Sequence, residues 1–118
     1  MIVGTGIDII ELKRFEKVFF KYGDSLINRI FNYEEVPVRK NKNKFIATLA
    51  GKFAAKEAIS KALGFGLGKR LKFKEISILN ENSGKPFVKM YKYNFKNIHI
   101  SISHSNDNAV ALAVIENK

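Results

Sequence analysis

Hydrophobic and polar positions follow two rhythms along the chain. Ile2 to Ile10 is apolar and β-branched with two glycines, which predicts a strand. From Glu11 to Tyr22, the apolar residues Leu12, Phe15, Val18, Phe19 and Tyr22 fall at helical spacing. Gly23 ends that helix, and Asp24 or Ser25 can cap a short helix over Leu26 to Phe31. Asn32 is another N-cap candidate, with Glu34 and Glu35 in the first turn, and Pro37 interrupts any helix there. The basic segment Arg39 to Lys44 opens a long helix from about Asn43 to Leu63. Its buried face is marked by Ile46, Leu49, Ala50, Phe53 and Ala54. Gly64, Gly66 and Gly68 terminate it.

The remainder reads as strands and turns. Phe73 to Leu79 predicts a strand, Asn80 to Gly84 a turn, and Pro86 to Tyr91 a second strand. Ile98 to Ile102 alternates with polar residues, as a half-buried strand does. Should it extend to His104, that side chain shares the face of Ile98, Ile100 and Ile102. After a tight turn at Ser105 to Asn108, Ala109 to Ile115 is apolar on both faces and is expected at the centre of a sheet. Strands clustered at the end pair antiparallel, so the expected class is α+β: one antiparallel sheet packed against a long central helix. Residues 1–118 are one domain's worth of chain, without internal repeat or linker.

Charge narrows the partners. The chain carries 21 Lys+Arg against 11 Asp+Glu, a formal charge of +10, which favours an anionic partner. The absence of cysteine excludes a disulfide scaffold, a thiolate zinc site and a Cys nucleophile. No apolar stretch approaches the roughly 20 residues of a membrane span, and Met1 to Glu11 lacks a basic signal-peptide start. A soluble, cytoplasmic protein is expected.

Two carboxylates stand in unusual places. On a strand, Ile2, Gly4, Gly6, Asp8 and Ile10 share a face, so Asp8 has two neighbours without side chains. That leaves room for a ligand or a helix to come close, unless Asp8 merely ends the strand and caps the next helix. Glu57 continues the Ile46, Ala50, Phe53 stripe, with Lys61 four residues on. An acid there needs a partner or a metal, and a surface pair with Lys61 is the simplest partner. If strand and helix pack together, Asp8, Glu57 and Lys61 suit Mg²⁺ and a diphosphate, because Mg²⁺ takes oxygen ligands and shares phosphates. Ser103, His104 and Ser105 invite a Ser–His reading, but adjacent residues define no triad geometry. Arg14, Lys17 and Lys21 share one face of the first helix near Val18, which suits docking of an acidic helix or a plain solvated face. On these features alone, a nucleic-acid-binding module and a Mg²⁺-dependent nuclease or nucleotide hydrolase stay open.

The ordered motifs resemble a known family. Gly6-Ile7-Asp8, then Phe53-Ala54-Ala55-Lys56-Glu57 and Lys61, is similar to the two-part signature of the 4′-phosphopantetheinyl transferases. Arg29-Ile30-Phe31 before Glu34, Lys61-Ala62-Leu63-Gly64, Gly84-Lys85-Pro86 and Ser103-His104-Ser105 follow in family order, and the length resembles the bacterial holo-[acyl-carrier-protein] synthase branch. The resemblance implies the 4′-phosphopantetheinyl transferase fold. It also implies transfer of phosphopantetheine from coenzyme A to a serine of an acidic acyl carrier protein, with release of adenosine 3′,5′-bisphosphate, in support of fatty acid biosynthesis. Asp8 and Glu57 would hold Mg²⁺, and Asp8, Glu57 and Lys61 would be the catalytic set. Lys52, Lys56, Gly84, Lys85, Pro86 and His104 would bind coenzyme A. Arg14, Lys17, Val18 and Lys21 would dock the carrier. A homotrimer with active sites between subunits is implied, with neither nucleic acid nor membrane as partner. Two positions depart from the family pattern: Lys52 stands where an Arg is usual, and Phe65 where a small hydroxylated residue is usual.

Overall fold

A computed structural model describes residues 1–64, 67, 71–91 and 97–117. Strand β1 spans Ile2–Glu11 and leads directly into helix α1, Leu12–Tyr22. Helix α2, Asp24–Ile30, follows after Gly23, and a 3₁₀ turn covers Tyr33–Glu35. Helix α3 runs Lys42–Leu63, with the Asn41 side chain accepting the Lys44 N–H at its start and Gly64 in the left-handed conformation at its end. A second 3₁₀ turn, Phe73–Glu75, precedes strands β2 (Ile76–Asn80), β3 (Pro86–Met90), β4 (Asn97–His104) and β5 (Asn108–Glu116).

Strands β1, β5 and β4 form an antiparallel sheet with β5 in the middle, as its two apolar faces predicted. The expectation of one sheet needs correcting, because β2 and β3 form a separate antiparallel pair. The outer edge of β2 is closed by a side chain: the Ile78 N–H donates to the Glu35 carboxylate at 2.8 Å. Three local expectations also change. The segment from Phe73 opens as a 3₁₀ turn, because the Lys72 N–H is capped by Glu75 and the strand starts only at Ile76. Gly23, at φ 56°, occupies the N-cap of α2, and Asp24 falls inside its first turn. Asp8 caps nothing, since β1 continues past it to Glu11. Phe65, Gly66 and Gly68 lie outside the described residues.

Helix α3 is buried on several sides rather than along a single stripe. Ala54, Ala55 and Ala58 pack with Ala111 and Ala113 of β5 and with Ile76 and Ile78 of β2 in one core cluster. Phe45, Ile46, Leu49 and Ala50 build a second cluster with Phe15 of α1 and Ile27 and Ile30 of α2. Small residues let helix and sheet approach closely. A Cβ on Gly6 would lie 1.9 Å from the Ala58 carbonyl oxygen, and one on Gly4 would lie 2.1 Å from that of Ala62. The empty patch beside Asp8 is therefore filled by a helix.

The opposite face of the three-stranded sheet is bare and apolar. Val3, Ile7 and Ile9 of β1 and Leu112 of β5 are exposed, Ile7 to 60%. Among the described residues, no helix is long and apolar enough to cross a membrane.

Candidate active site

The close packing of β1 on α3 brings Asp8, Glu57 and Lys61 together. Lys61 reaches off α3 and donates to Asp8 Oδ1 at 3.0 Å and to the Ile7 carbonyl at 2.9 Å. The bland expectation of a Glu57–Lys61 pair is replaced by this contact across the seam. Asp8 is 14% exposed and Lys61 54%, so the pair sits at the rim of the seam. Burial first, and the neighbouring Asp8 charge second, raise the Glu57 pKa above its usual value, with Lys61 opposing. The two carboxylates thus feel one another.

Asp8 Oδ2 is buried and has no hydrogen-bond partner among the described residues. A buried carboxylate oxygen without a donor is costly, and a cation removes that cost. No group of three or more metal-binding side chains occurs among the described residues. Two carboxylates match Mg²⁺, which keeps several waters and shares phosphate oxygens, better than a metal that needs a full protein cage. The donor set of Asp8 and Glu57 therefore fits Mg²⁺.

Lys56 and Lys52 are both engaged inside the chain. Lys56 donates to Glu35 Oε1 at 2.7 Å, the Ile30 carbonyl at 2.7 Å and the Phe73 carbonyl at 3.0 Å. Those three bonds use every proton of its ammonium. Burial lowers its pKa to about 8, with Glu35 opposing. Lys52 is also buried and donates to the Glu35 carbonyl at 2.6 Å. Both lysines brace the fold, and in this arrangement the Lys56 ammonium has no proton left for a phosphate. Glu35 itself went unrecognised as a core residue. Its position after the Asn32 cap was visible, but its burial depends on β2 closing over it.

The other expected coenzyme A residues stand apart. His104 ends β4, on the Ile102 face as anticipated, and its Nε2 lies 2.8 Å from the Ala47 carbonyl. It packs against Gly51, where a Cβ would come within 2.9 Å of Nε2. β4 and β1 are the opposite edges of their sheet, so His104 and Asp8 are separated by β5. Gly84, Lys85 and Pro86 lie at the turn of the β2–β3 pair, where Gly84 takes φ 93°. One chain thus gathers the carboxylates and Lys61, but not His104 or the Gly84–Pro86 turn.

Arg14, Lys17, Val18 and Lys21 are all exposed on α1. Arg14 and Val18 also line an apolar groove of about 380 Å³, with Ile9, Phe15, Leu26 and Phe53 among its walls.

Comparison with known proteins places this geometry in a lineage. A family model described as the 4′-phosphopantetheinyl transferase superfamily matches residues 4–115. The chain is 44% identical over 118 residues to a holo-[acyl-carrier-protein] synthase of Geobacillus sp. (strain WCH70), covering 98% of both sequences. It superposes with TM-score 0.89 at 43% identity on a Bacillus anthracis str. Ames holo-(acyl-carrier-protein) synthase crystallised in complex with CoA (3′,5′-ADP), covering 100% of this chain and 99% of that one. A Helicobacter pylori holo-[acyl-carrier-protein] synthase in complex with coenzyme A gives TM-score 0.84 at 34% identity, covering 95% and 99%. With that match running from β1 to β5 and two carboxylates facing each other across its helix–sheet seam, the chain belongs to the 4′-phosphopantetheinyl transferase superfamily.

Proposed function

We propose that the protein is a holo-[acyl-carrier-protein] synthase, moving 4′-phosphopantetheine from coenzyme A to a serine of apo acyl carrier protein. The observation that carries this reading is the orphan oxygen of Asp8, set beside Glu57 in a chain of this superfamily. The serine hydroxyl attacks the phosphorus that bears pantetheine. The bond from that phosphorus to the bridging oxygen breaks, the serine proton is released, and adenosine 3′,5′-bisphosphate leaves.

Such transfers depend on positioning and on neutralising charge. When bound at Asp8 and Glu57, Mg²⁺ supplies charge that offsets the negative charge building on the leaving bisphosphate. Lys61, half exposed at the end of the same seam, lies within reach of that diphosphate. Gly84, Lys85, Pro86 and His104 contact the nucleotide end. Because they stand apart from Asp8 in one chain, the complete site forms between copies. The bare apolar face of the three-stranded sheet supplies a surface for the homotrimer. The acidic carrier docks on Arg14, Lys17, Val18 and Lys21, with an apolar side chain in the adjoining groove. The reaction's place is the cytoplasm, in agreement with a chain lacking cysteine.

Intact-mass spectrometry of an apo acyl carrier protein, incubated with this protein, coenzyme A and Mg²⁺, tests the reading. The expected result is a gain of one phosphopantetheine, lost with EDTA. Release of adenosine 3′,5′-bisphosphate without a carrier would instead mark a hydrolase. Charge reversal at Arg14 and Lys21 is expected to raise the carrier KM by about tenfold at low salt, through slower association, with the coenzyme A KM unchanged. An equal rise for both substrates would remove the docking surface from α1.

A further inference from the structure

Asp8 is engaged on one side only. Its Oδ1 accepts from the Lys61 ammonium, while Oδ2 is buried without a partner. Lys61 also holds the Ile7 carbonyl, so its position is fixed by a backbone acceptor as well as a charge. Glu57 lies one helical turn before Lys61 on α3. Two carboxylates and one ammonium leave a single net negative charge at a site that would take a divalent cation.

That arithmetic sets the order of binding. An ammonium in contact with Asp8 cancels much of the attraction that a divalent cation would feel there. A diphosphate reverses the balance, because it brings negative charge and oxygen ligands and offers the ammonium another anion. Lys61 can make that move, being 54% exposed on a flexible four-carbon stem. Lys56, on the same helix, cannot, because its ammonium is buried and fully bonded.

We propose that Lys61 is a built-in competitor of the divalent cation: it occupies Asp8 until a diphosphate arrives, so that cation and diphosphate bind as a coupled pair. This rests on the reading that Asp8 and Glu57 hold the metal. Coupling of this kind is reciprocal, so coenzyme A tightens the cation by the factor with which the cation tightens coenzyme A.

The test uses Mn²⁺ as the probe, with free and bound ion separated by electron paramagnetic resonance, on the full chain without carrier protein. In the wild type, coenzyme A should tighten Mn²⁺ binding by about tenfold or more. Lys61→Met keeps the length of the side chain and removes its charge. Without coenzyme A, it should bind Mn²⁺ about fivefold more tightly than the wild type, and coenzyme A should then add less. Lys61→Arg should restore the wild-type order. Equal Mn²⁺ affinity of Lys61→Met and wild type in the absence of coenzyme A would overturn the competitor role while leaving the metal site standing. Mn²⁺ binding that survives unchanged in Asp8→Asn would overturn the metal site, and the competitor role with it.

Discussion

Helix α3 carries two lysines that each meet a carboxylate from a distant part of the chain, and the two pairs behave oppositely. Lys56 and Glu35 are 2.7 Å apart with both side chains fully buried. Every ammonium proton is used, and the carboxylate also accepts from the Asn32 and Ile78 N–H groups. Lys61 and Asp8 are 3.0 Å apart at the rim of the seam, and one carboxylate oxygen has no donor. The chemical groups are nearly the same. What differs is the number of partners that the fold supplies. A saturated pair locks elements together, whereas a pair left one donor short is a place for something to bind.

The largest expected effect is on the closed pair. Lys56→Met leaves a buried carboxylate without its cation and should lower the free energy of unfolding by about 3–5 kcal/mol, read from urea denaturation. A loss below about 1 kcal/mol would mean that the pair does not brace the fold. At the open pair the sign of the contrast reverses. Asp8→Asn should reduce phosphopantetheine transfer by about a hundredfold or more. Its unfolding free energy should stay within about 1 kcal/mol of wild type, because the one ion pair of Asp8 is to a half-exposed lysine at the rim. A variant that loses stability and activity together would erase the distinction between the two pairs.

The smallest effect concerns Glu57 and is read from pH dependence. Its pKa in the folded protein lies above the ordinary 4.5, so the native state holds this proton more tightly than the unfolded chain does. Glu57 therefore costs stability as pH rises from 4.5 through the folded value, and the cost persists above it. Glu57→Gln should remove that decline and leave the protein slightly more stable at neutral pH, by less than about 1 kcal/mol, in denaturation series across the acid range. An unchanged pH profile would show that neither burial nor the Asp8 charge raises Glu57.

Much of this contrast could be read from the chain itself, and the unread part has a physical cause. Asp8 stood out because two glycines share its strand face, and Glu57 because it falls on an apolar helical stripe. Both signals are local, as is Gly64, which ends α3 at the expected Leu63; the helix starts one residue before the expected Asn43. The central place of β5 followed from its two apolar faces. Glu35 and Lys56 were opaque because their burial comes from β2 and the turn at Phe73 closing over them, contacts between segments distant in sequence. The same closure covers the outer edge of β2, where a carboxylate takes the N–H that a further strand would otherwise pair. Lys61 was legible as a helper of Glu57, but its partner lies on β1, and only the packing of β1 on α3 decides that choice.

That packing has a mechanical consequence. At Gly4 and Gly6 the strand touches α3 backbone to backbone, with no side chain between them to act as a cushion. Asp8 hangs from one side of this joint and Glu57 from the other, so the joint serves as a fixed datum for both. Loss of either glycine is the kind of change that shifts both halves of the site at once.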